Sequence, residues 1–340
     1  MASEKNLNAV FTDIANAIRE KKGTTDQIKP INMAEEIVNL PSGGGETIEL
    51  SVTQNGTYVP DEGTTYSKVS VSVPQTAESG TVKALLDVTK SCYQLFNNYK
   101  GTDVDGLISY SDTSSVTDMS YMFYDCSSLT TIPQLDTSSV TKMSYMFNGC
   151  RSLTTIKQLD MSKVTDMSYM FGSCSLLTTV PQLDTSSCKN MNHMFYGCYQ
   201  LTIIPKLDTS KVTSMSGMFW NCFKLITIPE LDMSSVTDMS YMFYDCRELK
   251  TIPKIDVSNV TSMTSMFSSC RSLKSILMTG MKYSFEISAS TKFEESDLVT
   301  ILNNLATVTS TRTLTMGSTN LAKLTDEEKA IATNKGWTLA

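Results

Sequence analysis

The sequence predicts an α+β repeat solenoid, in which short helix-and-strand coils stack in an arc, with small helical and β modules at the N-terminus. Two observations carry that prediction. Seven cysteines, Cys126, Cys150, Cys174, Cys198, Cys222, Cys246 and Cys270, follow one another at intervals of 24 residues. Seven phenylalanines (Phe123, Phe147, Phe171, Phe195, Phe219, Phe243, Phe267) and seven aspartates (Asp112, Asp136, Asp160, Asp184, Asp208, Asp232, Asp256) keep the same step. The unit reads LDTSSVTxMSYMFxxCxxLTTIPQ and occupies residues 111–276 in register.

Each unit divides into two elements. Val116, Met119, Met122, Phe123 and Cys126 fall at i, i+3, i+6, i+7 and i+10, which predicts one face of a short helix. Asp112 and Ser114 precede it and can cap its free N–H groups. Leu129, Ile132 and Leu135 recur at three-residue spacing and suit a short strand with its exit turn. Pro133 closes that strand in most copies, with Lys157 in the slot in the second. A helix this short cannot bury its face alone, so the copies must stack. Paired strands sit about 4.8 Å apart and packed helices about 8–10 Å apart. The stack should therefore curve, with strands on the concave side and helices on the convex side.

The flanking residues divide into four further segments. Residues 1–45 form a helical attachment segment. Helices are predicted over 4–22 (Leu7, Val10, Phe11, Ile14, Ala17, Ile18) and 31–40 (Met33, Ala34, Ile37, Val38), before Pro41 and a flexible link at 42–45. Residues 46–76 form a small β module, because Ile48, Leu50 and Val52 alternate, as do Val69, Val71 and Val73, with a turn signal at Gln54-Asn55-Gly56. Residues 77–110, with Leu86, Val88, Tyr93, Leu95 and Phe96, form a degenerate first coil that caps the array. Residues 277–340 cap the far end. There Thr291 with Glu294 and Thr325 with Glu328 are capping-box pairs. Leu298, Ile301, Leu302 and Leu305 share a helical face, Leu314 and Met316 suggest a strand, and Trp337 plugs the core.

The MFxxCxxLxxI core resembles the bacterial surface leucine-rich repeats of BspA-like type, in their methionine-rich variant. The resemblance covers residues 111–276, and the ending STNLAKLTDEEKAIATNKGWTLA is similar to the ending of such arrays. It implies adhesion or ligand binding and supplies no catalytic motif. The opening NLNAVFTDIANAIREKKGTTDQIKPINMAEEIVNLPSGG resembles the first segment of phage and prophage tail or tail-fibre proteins. The stretch TIELSVTQNGTYVPDEGTTYSKVSVSVP resembles the β module that follows it in those proteins. That second resemblance implies a virion attachment end and a homotrimer.

Composition bounds the function. The net charge is -7 and the pI about 4.9, which argues against nucleic acid as a partner. No run of 18 apolar residues occurs, so no membrane insertion is expected. The N-terminus lacks the apolar core of a secretory signal, which predicts synthesis and folding in a cytoplasm. His193 is the one histidine, so most histidine-based catalysis and metal binding fall away. Gly43, Gly44 and Gly45 stand outside any GxxxxGK phosphate loop. No enzyme activity and no cofactor are expected.

Three columns remain to be weighed. The cysteines read as buried apolar thiols, since seven is odd and no CxxC pair occurs. Met119, Met122 and their later copies read as core filler. Stacked aspartates repel one another unless each gains local N–H bonds. Helix capping is the first reading of that column, and a calcium ladder is its alternative.

Binding is assigned to the outward aromatics. On a helix, Tyr121 and Tyr124 point about 140–160° away from the buried face. Equivalent slots carry Tyr145, Tyr169, His193, Tyr196, Trp220, Tyr241 and Tyr244, and Tyr199 and Phe223 follow their cysteines. These rings either bind a partner or cover gaps between neighbouring helices. The expected function is that of a non-enzymatic, tail-associated receptor-binding protein of a phage or prophage, made in the host cytoplasm. Its expected partners are a bacterial surface glycan or protein, and other tail proteins through the N-terminal segment. The alternative is a bacterial cell-surface adhesin.

Overall fold

The computed structural model describes residues 66–72, 83–88, 92, 96–98, 113–132 and 134–340. The two N-terminal helices, the Ile48 strand with its turn, Asp112 and Pro133 lie outside the described residues. Strand β1 (Tyr66–Ser72) pairs antiparallel with β2 (Lys83–Val88), with Val69 opposite Leu86. Leu86 and Val88, assigned above to the cap coil, therefore belong to a strand. Their spacing of two is a strand's period.

The array is a repeat solenoid, but its coils contain no helix among the described residues. The segment predicted as helical is a run of tight turns. Met122 donates to the Met119 carbonyl at 3.2 Å, Tyr124 to Tyr121 at 3.0 Å and Cys126 to Phe123 at 3.2 Å. The residues between them donate to the next coil. Met119 reaches Lys142 at 3.0 Å, Tyr121 reaches Ser144 at 2.9 Å, Phe123 reaches Met146 at 2.8 Å and Asp125 reaches Asn148 at 2.7 Å. Ser120 donates to Asp118 Oδ1 at 2.9 Å. Every N–H from 119 to 126 is thus satisfied, alternately within the coil and across to the next.

Two slots per coil adopt positive φ. One holds Tyr121 (58°), Tyr145 (57°), Tyr169 (53°), His193 (55°), Gly217 (59°), Tyr241 (58°) and Ser265 (51°). The other holds Asp125 (52°), Gly149 (80°), Ser173 (57°), Gly197 (68°), Asn221 (62°), Asp245 (57°) and Ser269 (65°). A left-handed residue every fourth position interrupts any right-handed helix. The Ser, Thr, Asp and Asn residues around it also favour turns over helix interiors.

Without helices, the packing-distance argument for curvature lapses. The turn face has the closer ladder, at the distances just given. On the opposite, extended face, Thr178 reaches the Thr154 carbonyl only at 3.3 Å and Thr202 reaches Thr178 at 3.5 Å. That ladder closes to 3.1 Å at Ile226 and 2.9 Å at Lys250 and Lys274, where β3 (Thr251–Ile252) pairs in parallel with β4 (Ser275–Ile276).

The inward residues are the expected ones. Val116, Met119, Met122, Phe123, Cys126, Leu129, Ile132 and Leu135 and their later copies form one buried core. Phenylalanine rings stack from Phe96 through Phe267, with centroids 5.3 Å apart at the first step and 5.7 Å at the last. All nine cysteines are free and buried. Each array thiol donates to the phenylalanine carbonyl of the coil before it, as Cys150 does to Phe123 and Cys198 to Phe171, both at 3.1 Å. Burial pushes the thiols of Cys92, Cys188 and Cys270 up to about 12.

The aspartate column caps turns rather than helices. Asp136, Asp160 and Asp208 each accept the N–H two residues on, at 3.0 Å. Bonds from Ser162, Ser210 and Ser234 hold Asp160, Asp208 and Asp232 below the usual carboxylate range. One slot further on, Thr113, Thr185 and Thr209 donate Oγ1 to the carbonyls of Asp136, Asp208 and Asp232, each at 2.8 Å. Met161, Met233 and Val257 fill that slot in other coils and are buried.

Beyond the array, β5 (Phe285–Glu286), β6 (Arg312–Thr315) and β7 (Trp337–Leu339) form a parallel sheet. Helices α1 (Glu295–Asn304), α2 (Ser318–Leu321) and α3 (Asp326–Thr333) alternate with these strands; α3 packs against β7, and α1 against α3 and β4. The box at α3 is Thr325 with Glu328, as expected. The box at α1 is Glu294 with Asp297, not Thr291 with Glu294. Phe293 is wholly buried, so the helix starts only after that anchor. Trp337 is 2% exposed, and its Nε1 donates to Ala306 at 2.9 Å.

Two measurements follow. Native protein should not react with Ellman's reagent at pH 8, and unfolding should release nine thiols. Rapid native reaction of several thiols would show that the column is not closed. Thr137 Oγ1 is buried with no hydrogen-bond partner among the described residues. Thr137→Val should therefore stabilise by about 1 kcal/mol and Thr209→Val should destabilise by about 1 kcal/mol. Denaturant titration reads both, and equal effects would reject the assignment.

Candidate functional site

The surface aromatics stand where the turn geometry puts them. Tyr121, Tyr145, Tyr169 and His193 occupy the first left-handed slot of successive coils. Their rings stack face to face with centroids 4.6, 4.6 and 4.4 Å apart. Gly217 ends this column, because a Cβ there would sit 2.5 Å from His193 Nε2. Trp220 bridges the gap. It meets Tyr196 edge-on at 5.5 Å and stacks on Tyr241 at 5.2 Å. Tyr124 joins through Tyr121, and Tyr244 through Trp220. Nine of the eleven expected binding residues are thus one continuous run of ring contacts.

Tyr199 and Phe223 form a separate stack at 4.8 Å. The Arg247 guanidinium covers the far side of Phe223 at 4.2 Å from the ring centroid.

The orientation differs from the helical expectation. The nine rings of the run are half-buried rather than free in solvent. Successive turns do not rotate side chains by 100° per residue, so Tyr121 is not carried to the far side of the coil. Stacking also consumes the ring faces and leaves mainly edges and polar tips to solvent. Burial, then the neighbouring Tyr121 and Tyr169, pushes the Tyr145 hydroxyl up to about 12.

Two polar features were not picked out from the sequence. Asp118, Asp166 and Asp238 form a second turn-capping column, each accepting the N–H two residues on at 2.9 Å. An open groove of about 1280 Å³ runs along the coil corners. Gln158, Gln182, Lys206, Glu230 and Lys254 border it, as do Asp184, Asp208, Asp232 and Asp256. Its signal is the variation Gln, Gln, Lys, Glu, Lys in a slot followed by leucine (Ile255 in one coil) and then a constant aspartate. Among the described residues no group of three or more His, Cys, Asp or Glu side chains gathers as a metal cage.

His193 supplies a titration test. Burial holds its pKa below the ordinary 6.5, opposed by the Asp238 carboxylate. The unfolded chain then binds a proton before the folded one does. Stability is fully present above about 6.5 and is lost as pH falls through the lowered folded value. Thermal melts between pH 7.5 and 5.5 should show this drop. His193→Tyr, which repeats the residue of the preceding coils, should flatten it. An unchanged slope in that variant would assign the drop elsewhere.

Comparison with known proteins places the chain. No curated protein matches it. A leucine-rich repeat protein of Treponema pallidum is 17% identical with a TM-score of 0.38, covering 62% of this chain and 84% of that one. A leucine-rich repeat protein of Bacteroides ovatus is 15% identical with a TM-score of 0.16, covering 84% and 100%. The TLR13 chain of a complex with ssRNA13 is 11% identical with a TM-score of 0.21, covering 68% and 50%. One family model matches residues 90–203 and 199–299, across the coils described above, and the chain accordingly belongs to the family described as Mycoplasma protein of unknown function, DUF285.

Proposed function

We propose that this protein is a non-enzymatic adhesion protein, displayed at a bacterial cell surface, that binds a surface glycan or protein through its repeat solenoid. One observation carries the reading. The core slots repeat the same residue coil after coil, whereas an outward slot runs Ser127, Arg151, Ser175, Tyr199, Phe223, Arg247, Arg271. A rigid frame that presents a changing row of aromatic and charged side chains suits recognition. Tyrosine, tryptophan and arginine are also the residues that dominate binding hot spots.

A second reading is attachment within a phage or prophage tail, with the array facing outward. It rests on the resemblance of the first 75 or so residues, which precede the family match at residue 90.

Fluorescently labelled full-length chain should bind whole bacterial cells saturably and with strain preference. Immunogold microscopy of producing cells then separates the two settings, by label on the cell envelope or on particles. No saturable binding to any strain of a broad panel, with label confined to the cell interior, would reject adhesion.

A further inference from the structure

The repeat provides an internal control for its own surface. Just after each array cysteine stand five residues, Ser-Ser-Leu-Thr-Thr in the first coil, of which the leucine is buried in every coil and none of the other four is. Three consecutive coils place large, exposed apolar residues in these slots. Relative to the coil before, Leu176 replaces Ser152, Tyr199 replaces Ser175, Ile203 replaces Thr179 and Ile226 replaces Thr202. These four are 48%, 40%, 53% and 36% exposed. They are four of the five large exposed hydrophobics among the described residues, the fifth being Leu277 near the C-terminal cap. Isolated exposed apolar residues mean little. Four on one face, each in place of a small polar residue, make a patch.

The patch has an ordered edge. Tyr199 stacks on Phe223 and Arg247 covers Phe223. Arg247 is itself held by both oxygens of Asp245, at 2.9 and 2.8 Å. On its other side Tyr199 faces Ser175 in the preceding coil, so no ring there covers it. The backbone ladder then runs from Thr202 to Ile226, Lys250 and Lys274 at 3.1, 2.9 and 2.9 Å. The same slots thus pass from apolar to cationic within two coils. Arg247, Lys250, Arg271 and Lys274 are all exposed. Of the acidic residues beside this rim, Asp245 is paired with Arg247 at 2.8 Å and Glu248 with Lys224 at 3.0 Å, which leaves Lys250, Arg271 and Lys274 as its open cations. A basic rim on a chain of net charge -7 is a local feature, not a reflection of the whole.

We propose that this face docks an acidic protein segment. An apolar or aromatic anchor seats among Leu176, Tyr199, Ile203 and Ile226, and the carboxylates that follow it meet Arg247, Lys250, Arg271 and Lys274. The inference rests on the adhesion reading and names its surface. The apolar centre supplies the anchor pocket. The rim sets orientation and encounter rate, and its contribution weakens with salt.

The test uses the full-length chain and a displayed random-peptide library. Peptides enriched on the wild type should carry an aromatic residue or leucine followed by aspartates or glutamates. Their affinity should fall about tenfold or more on the variant Y199S/I203T/I226T. That variant restores the residues of neighbouring coils, so it should melt like the wild type. Replacing the glutamates of an enriched peptide by glutamine should remove most of its salt dependence.

Enrichment of peptides without acidic residues, or equal affinity for the triple variant, would overturn the proposal. So would lipoteichoic acid binding the same face more tightly than any peptide. If the triple variant binds cells as the wild type does, the patch is wrong and adhesion stands. If the wild type binds neither cells nor peptides, both readings fall.

Discussion

Each coil is hydrogen-bonded to the next at strand-like spacing, and this forces every residue to lie on its own copy in the neighbouring coil. A column must therefore tolerate self-contact. Phenylalanine does so by stacking, as the run from Phe96 to Phe267 shows. Methionine does so by flexibility. Charged residues need another solution, since carboxylates at this spacing repel. Asp160 and Asp208 are held ionised by their own serine and backbone bonds, which leaves them little dependence on neighbours. The cysteine column solves a third problem. Each coil turns sharply at a phenylalanine whose carbonyl points inward. The thiol of the next coil supplies that carbonyl with a second donor without bringing in water.

The same constraint shapes the surface. Rings in adjacent coils stack on one another before they can meet any ligand, so a tyrosine column becomes part of the frame. Where a column is interrupted, the molecule adjusts locally. Gly217 makes room for His193, and Trp220 carries the ring contacts across to Tyr241. The aromatic run thus stiffens the turn face, and its edges rather than its faces meet solvent. Tyr199 differs because its neighbour on one side is only Ser175.

Much of this was legible in the sequence. The 24-residue period gave the solenoid, and the apolar positions of the unit gave the buried core residue by residue. Reading the cysteines as buried filler was sound, although their role as hydrogen-bond donors has no sequence signature. The helix was misread for a physical reason. A 3.6-residue helix and a chain of i to i+3 turns both place apolar residues three apart, and Val116, Met119 and Met122 fit either. What separates them is the slot holding Asp125, Gly149, Ser173, Gly197, Asn221, Asp245 and Ser269. Those small or turn-forming residues mark a recurring left-handed conformation. Tyrosine in the other left-handed slot hid the second such position, since a bulky residue seldom adopts it. The direction of every surface ring depended on that choice, so ring orientation could not be read before the turn was known.

The distinction between constant and variable columns bears on where recognition can reside. A substitution in the core repeats its effect on both neighbours, because each ring or thiol touches two others, so the phenylalanine, methionine and array-cysteine slots each hold one residue type in all seven coils. Apart from the Tyr199–Phe223–Arg247 stack, an outward slot at the serine–threonine face meets its copies through short or flexible side chains, and it can change in one coil at little cost to the next. Departures from the repeat are therefore cheap there and uninformative one at a time. Their arrangement is informative. Apolar residues in three successive coils, followed by cations in the next two, make a patch with a basic rim rather than scattered single changes. The face that contributes least to the fold is thus the one free to carry a specific partner, and it is the face where this chain departs most from its own repeat.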